Sequence, residues 1–447
     1  MKKTGRNLYR QRLLAIALPI IMNNIIAQLQ MIIDRIFLGH ANDLYMSALG
    51  NVSSPVWTTM SFCNSLVMGA SILISQSVGA GKREDIGEYA GAMMKYNNII
   101  PVFLCVFWLF FPKPVFTLLG VSDSVMSLCL SYVRWYAPLF LLTGLGGSLG
   151  VVLQTSNYTR PLVVYGLFRS GLNMFLDWVL IFGKFGMPEL GIEGAAIATV
   201  IAEYVGAIYI SVIYFTSKKL TTRPRWNDVK RGHFRSYLHS AKLGINIALE
   251  DFAWNIGNLI MIRILNSINE YAAGIYTIVF GVEVLAVVII GAIGSGTMTL
   301  TSEATGKRDL AQYKGTTLCA FGLCVIVTLL MILGAVLFPE QILSLFTSDK
   351  AIIASSGIYL LMIGFNLFSK SGNIIVGNAI RGSGNTKWML YTQIFGTIWI
   401  VSVAAVFVFV CKLGILGVFL AVMVDEGVRA LINLWKYLRI VKEWKSA

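Results

Sequence analysis

The chain has 447 residues, of which 56% are apolar and 13% charged, against roughly half and about a quarter in an ordinary soluble domain. That apolar share supplies about a dozen bilayer-spanning helices at about 20 apolar positions each, which leaves no room for a large soluble domain and excludes disorder, collagen and a disulfide scaffold. The net charge of +14 is no nucleic-acid footprint, because the basic residues lie in short gaps between apolar runs and not on one soluble face.

In chain order, Lys2, Lys3, Arg6, Arg10 and Arg12 precede an apolar stretch too long for a signal-peptide core and without a small-residue cleavage site, so a retained first span is expected. Breaks at charged, Gly/Pro or Asn/Asp positions then give candidate spans at 13–38, 52–79, 91–111, 128–154, 161–183, 191–216, 240–266, 271–303, 314–338, 352–380, 387–411 and 413–437. Length, not periodicity, makes them helices, since a fully apolar helix has no distinguishing period. The 42 glycines suit helices that must bring their backbones together without a hydrophobic drive. His40, His233 and His239 fall in or beside the gaps. The six cysteines have no C-x-x-C pair, lie mostly within apolar runs and are expected to be buried free thiols.

Orientation follows the basic residues, which collect in cytoplasmic loops. Twenty-five Lys and Arg fall on one side, eight of them from Lys218 through Lys242, while the opposite loops hold Lys113, Lys184, Lys350 and Lys412. Both termini are therefore expected in the cytoplasm. Gly81-Lys82-Arg83 recurs as Gly306-Lys307-Arg308, Leu190-Gly191-Ile192 as Leu413-Gly414-Ile415, and Thr159-Arg160 approximately as Thr386-Lys387, each about 225 residues on. The expected fold is all-α and polytopic: twelve transmembrane helices in two six-helix bundles related by a pseudo-twofold axis along the membrane normal. The first bundle would occupy 1–216, a basic cytoplasmic linker 217–239 and the second bundle 240–447.

Ionisable side chains in hydrocarbon are costly, and those present usually face a cavity or a partner. In the first span Asn23, Gln30 and Asp34 share one face, with Pro19 as the expected kink; Asp34 can serve a site or pair with neighbouring Arg35, although adjacent helical residues point apart. Span five holds Arg169, Asn173 and Asp177 at successive turns, and span six holds Thr199 and Glu203 one turn apart. Two carboxylates with an amide and a hydroxyl make an oxygen-rich set able to share a proton or hold a desolvated monovalent cation; the alternative is inter-helix hydrogen bonding that fixes packing. In the second half, Glu250 and Glu283 either line a cavity or pair with Arg263 or another cation, and Asp425 with Arg429 reads as a structural ion pair. A phosphate-cradling loop, an H-E-x-x-H zinc motif and a nucleophile elbow are missing. ATP hydrolysis, a resident cofactor and an enzyme are not indicated.

Pro19 with Ile33-Asp34-Arg35-Ile36-Phe37-Leu38-Gly39, Gln76-Ser77-Val78-Gly79-Ala80-Gly81, Leu153-Gln154 with Thr159-Arg160-Pro161, Asn173-x-x-x-Asp177, Gly194-Ala195-Ala196-Ile197-Ala198-Thr199 and Arg381-Gly382-Ser383-Gly384-Asn385-Thr386 together resemble the multidrug and toxic compound extrusion (MATE) transporters, most closely their DinF-like branch, over essentially the whole chain. The resemblance implies a secondary active efflux antiporter of the bacterial or archaeal cytoplasmic membrane. It would exchange H+ or Na+ for small organic cations or amphipathic drugs, with membrane lipid its other partner, nucleic acid none, and a monomer as its unit. It implies cation ligation by Asp34, Asn173, Asp177 and Thr199, which would hold the ion directly if that ion is Na+, and a cavity to which Gln30, Glu203, Glu250 and Glu283 could contribute. The helix-seven carboxylate of the NorM-like branch would fall near Trp254, with Glu250 one turn earlier, a departure from that branch's pattern that leaves second-half coupling open. A flippase for lipid-linked or large amphipathic substrates is the alternative within the same superfamily, and a passive channel or membrane-complex subunit the rival of another class.

Overall fold

The computed structural model describes residues 3–269, 271–345 and 350–446, so Lys2 of the amino-terminal basic cluster lies outside it. The first half runs α1 (Lys3–Ala41), α2 (Asp43–Ala80), α3 (Arg83–Tyr96), α4 (Ile99–Phe110), α5 (Pro112–Leu118), α6 (Asp123–Tyr136), α7 (Leu139–Thr155), α8 (Pro161–Ile181) and α9 (Gly191–Thr216). After a short α10 (Trp226–Arg231) come α11 (Phe234–Asn266), α12 (Ala272–Lys307), α13 (Leu310–Leu337), α14 (Pro339–Ser344), α15 (Lys350–Gly382), α16 (Thr386–Ala405), extended by a π turn at Val406–Val410, and α17 (Gly414–Ser446). No strand occurs among the described residues.

With α3/α4 and α6/α7 each taken as one broken span, these helices make the twelve-span all-α architecture, six spans to each half of the repeat. Eight are long and apolar enough to cross a bilayer on that ground alone, nine with the α6–α7 pair, which bends by 44°. The bend falls where Pro138 cannot continue the helical hydrogen-bond ladder. The break between α3 and α4 is tied down by Asn97, whose amide donates to the Gly144 carbonyl at 3.0 Å and the Ser148 hydroxyl at 3.3 Å on α7. Most helices begin or end several residues beyond the hydropathy boundaries, α17 by nine at its carboxyl end, because a helix continues into charged turns that a hydropathy window discards. Two short helices escape the apolar pattern, α5 and α14; each opens on a Phe-Pro step, Phe111-Pro112 and Phe338-Pro339, which extends the internal repeat.

The chain forms two compact units. One comprises Leu18–Val78 and Lys82–Ile245, the other the residues up to Ala17, Gly79–Gly81 and those from Asn246 on. Helices α1, α2 and α11 therefore have residues in both, and Pro19 stands two residues past the point where α1 changes unit. In the second unit the start of α1 is held to α12 by Arg12, which donates to Glu303 at 2.6 Å, and Lys307 pairs with the same carboxylate. The first unit has a core of Leu38, Trp108, Phe116, Cys129 and Phe140; the other packs Met261, Leu265, Val279, Val418 and Phe419. Five cysteines are buried free thiols, whereas Cys411, in the turn after α16, is exposed.

Small residues close the helix crossings. A Cβ on Gly69 of α2 would come within 2.1 Å of the Ser240 carbonyl oxygen on α11, and one on Gly244 within 2.5 Å of the Leu66 Cα, so the two backbones touch through paired glycines. Gly50, on the same α2, faces open space. Gly69→Ala is expected to destabilise the detergent-solubilised protein by about 1–3 kcal/mol, the usual range for overpacking, with Gly50→Ala near wild type; thermal unfolding of both variants side by side is the measurement.

Candidate functional site

Four helices of the first unit build the site. Helices α1 and α8 run parallel and close together: a Cβ on Gly166 would lie 2.5 Å from the Asn23 Oδ1, so glycine is what lets α1 approach here. One to two turns on, the Ser170 hydroxyl donates to Gln30 Oε1 at 2.7 Å. Further along the same pair of helices, Asp34 of α1 faces Asp177 of α8, the two carboxyls within direct interaction range, and Gln30 reaches Asp34 as well. Arg35 is exposed, so Asp34 turns to Asp177 and not to its sequence neighbour.

Helix α9 lies antiparallel to α8, and its residues meet α8 in rungs. Asn173 Nδ2 donates to Thr199 Oγ1 at 3.3 Å, while Thr199 donates to the Ala195 carbonyl at 3.0 Å. One turn back on α8 and one turn forward on α9, Arg169 donates to Glu203. Extending this register by a turn in the other direction sets Asp177 at the level of Ala195, which offers no side-chain donor, so Asp177 is left to face α1. From α6, Tyr132 and Tyr136 form a stacked pair with ring centroids 5.7 Å apart, close enough to feel the charges of Asp34, with Tyr132 also feeling Asp177 and Tyr136 Glu203.

Asn173 and Asp177 are fully buried. Asp34 Oδ1, both Asp177 oxygens and Asn173 Oδ1 are buried atoms without a hydrogen-bond partner. Beyond the Gln30 amide that reaches Asp34, the acceptors of this lining outnumber its donors. Two facing carboxylates in such a setting repel each other and lose hydration, so the arrangement is stable when a proton or a small cation supplies the positive charge. The structure brings Asp34, Asn173, Asp177, Thr199 and Gln30 together, and carries Glu203 one turn along α9 to its own partners.

Glu250 and Glu283 stand apart from this group, in the second unit. Arg381 donates to Glu250, and Lys370 lies 2.7 Å from Glu283 and 3.8 Å from Glu426. Arg429 lies 2.7 Å from Asp425 and 3.2 Å from Glu426 and donates to Gln393 at 2.8 Å, while Asn373 donates to Glu426 at 2.6 Å. The Asp425–Arg429 pair read from the sequence forms, and of the two pairings open to Glu250 and Glu283, Arg263 or another cation, it is other cations, Arg381 and Lys370, that meet them, while Arg263 is exposed. The small cavity beside this network, about 40 Å³ and lined by Trp254, Tyr276 and Phe280, has room for little more than water. Here every basic side chain already sits on a carboxylate.

Tyr132, Tyr136 and Lys370 were not legible as site residues. The i, i+4 tyrosines look like ordinary packing groups, and a lone lysine in an apolar run does not say which distant acid it meets. Arg381 reads as a loop charge but sits half-buried in the last turn of α15.

Eight helices, nine with the bent pair, are apolar enough to span a membrane, and carboxylates lie buried within each unit, which marks an integral membrane protein. The MatE family model matches residues 19–179 and again 247–408, once in each half, and the chain belongs to that family, the multidrug and toxic compound extrusion transporters. The "Probable multidrug resistance protein NorM" of Thermotoga maritima is 28% identical over 446 residues, covering 96% of this chain and 92% of its own. The "Probable multidrug resistance protein YoeA" of Bacillus subtilis is 26% identical, covering 100% and 96%. A MATE crystal structure described as in the bent conformation superposes with a TM-score of 0.90 at 19% identity, over 100% of this chain and 99% of the other.

The matched charges of the second unit carry a test. Lys370→Met leaves Glu283 buried without its ammonium and is expected to cost about 3–5 kcal/mol of stability, whereas Lys370→Met with Glu283→Gln recovers most of that loss, because removing both partners of a buried pair costs far less than removing one. Unfolding midpoints of the two variants in one detergent decide it.

Proposed function

We propose that the protein is a secondary active antiporter that exports organic cations and amphipathic drugs in exchange for H+ or Na+, acting as a monomer with both termini in the cytoplasm. One observation carries the reading: the pair formed by half-buried Asp34 and fully buried Asp177, whose unpartnered oxygens, Asp34 Oδ1 and both of Asp177, meet across α1 and α8. Low dielectric makes the doubly ionised pair unfavourable, so a cation binds there readily and leaves when a competing positive charge arrives. Asn173 and Thr199 add neutral oxygens, which suits Na+ ligation as well as proton sharing. The names of the relatives, multidrug resistance proteins of bacteria, support drug substrates.

An inward proton yields about 1.4 kcal/mol per pH unit and about 2.3 kcal/mol per 100 mV, enough to hold a substantial substrate gradient once binding of the two is mutually exclusive. The site would open to one side with the cation and to the other with the substrate. Charge also bears on the flippase alternative, which calls for a strongly cationic cavity. The interior of the first unit instead sets Asp34, Asp177 and Glu203 against Arg169, and this favours cationic cargo.

The test is efflux of a fluorescent organic cation from proteoliposomes under a pH gradient and a Na+ gradient imposed separately. Asp34→Asn and Asp177→Asn should each reduce gradient-driven efflux to about the protein-free background, since each removes half of the cation site. Undiminished, still gradient-dependent efflux by either variant would remove that acid from the mechanism.

A further inference from the structure

Glu203 is engaged by two neighbours: the Arg169 guanidinium and the Tyr165 hydroxyl, which donates at 2.5 Å. Arg169 also lies over the Tyr165 ring, 5.5 Å from its centroid. Its Nε is buried and has no partner, so the guanidinium is not fully held where it stands. On α8, Arg169, Asn173 and Asp177 follow at successive turns, so Arg169 and the aspartate pair share one helix face. One guanidinium therefore holds Glu203 and stands two helical turns from the Asp34–Asp177 pair. Beyond Glu203 the first unit contains a cavity of about 190 Å³, walled by Glu203, Tyr165, Asn64, Thr143, Met60 and the glycine face of α7. That is smaller than the roughly 300–1,000 Å³ of a site for a whole drug, and fits a ring or a charged headgroup.

We propose that Arg169 is a counter-ion shared by the aspartate pair and Glu203, and that Glu203 is the subsite for the positively charged group of an organic cation. With the coupling cation on Asp34 and Asp177, the guanidinium remains on Glu203 and the cavity is neutral. When that cation leaves, the uncompensated aspartates draw the guanidinium toward them, and the Glu203 carboxylate, still held by Tyr165, faces the cavity as a free negative charge. The substrate's ammonium or amidinium then binds it. Coupling ion and substrate thus compete through the arginine and need not occupy the same oxygens. The titratable and charged groups around this exchange are Asp34 on α1, Tyr132 and Tyr136 on α6, Tyr165, Arg169 and Asp177 on α8, and Glu203 on α9. The inference rests on the antiport reading and adds to it the residue that selects positive charge.

The experiment measures binding of two probes of one shape to the purified protein, 2-(2-naphthyl)ethylammonium and the uncharged alcohol 2-(2-naphthyl)ethanol, at several proton and Na+ concentrations. In the wild type, the coupling cation should weaken ammonium binding. Glu203→Gln should weaken it about tenfold or more, the loss of a charge-assisted hydrogen bond, while the alcohol binds as before. Arg169→Gln should bind the ammonium without regard to the coupling cation. Should that variant not fold, Arg169→Gln with Glu203→Gln, which leaves no buried unpaired charge, should bind both probes alike. Equal loss for both probes in Glu203→Gln would assign Glu203 a packing role and overturn the proposal, as would wild-type discrimination in Glu203→Gln. Gradient-driven efflux by Asp34→Asn bears on the antiport reading instead, so the two failures are separable.

Discussion

Two carboxyl groups held face to face inside hydrocarbon are the constraint on which the first unit is organised. An acid in that position loses its hydration, and a second acid opposite it adds repulsion. The surrounding residues make the arrangement tolerable without neutralising it permanently. Gly166 admits α1, Gln30 and Ser170 fix its register, Asn173 and Thr199 bond α8 to α9, and that bond leaves Asp177 at a level where α9 is bare. A site built to be satisfied would have an arginine there; the arginine instead stands two turns away, on Glu203.

The second unit solves the same problem the other way. Glu250, Glu283, Asp425 and Glu426 are buried like Asp177, yet Arg381, Lys370 and Arg429 are built in beside them. Such a network holds α11, α12, α15, α16 and α17 together by charges that cannot leave. The two halves share a chain plan, a family match and even the Phe-Pro step of their short helices, but they differ in whether their buried acids are matched. On our reading that difference assigns ion exchange to the first half and leaves the second with a fixed electrostatic frame.

Much of this could be read from the residues. The span count follows from apolar length, because a bilayer leaves the backbone little choice but helix. The i, i+4 spacing that puts Asn173 beside Asp177 and Thr199 beside Glu203 fixes a face of each helix, and those faces meet at Asn173 and Thr199. What spacing cannot supply is the partner across a crossing. Arg169 sits one turn from Asn173, yet its bond to Glu203 depends on the antiparallel register of α8 and α9, which no local pattern encodes. The same holds for Glu250 and Arg381, 131 positions apart. Helix ends were misjudged where charge continues the helix past the apolar core, and α5 and α14 because six or seven residues are too few to give a period.

The central claim is that the Asp34–Asp177 pair binds one monovalent cation that substrate must displace. Its most direct measurement is the number of protons or Na+ ions released when an organic cation saturates the purified transporter in weakly buffered solution, followed by a pH indicator and by radioactive sodium. About one ion released per substrate bound, and none from the doubly substituted Asp34→Asn, Asp177→Asn protein, is the expected result. Substrate binding of undiminished affinity with no ion released from the unaltered protein would contradict it.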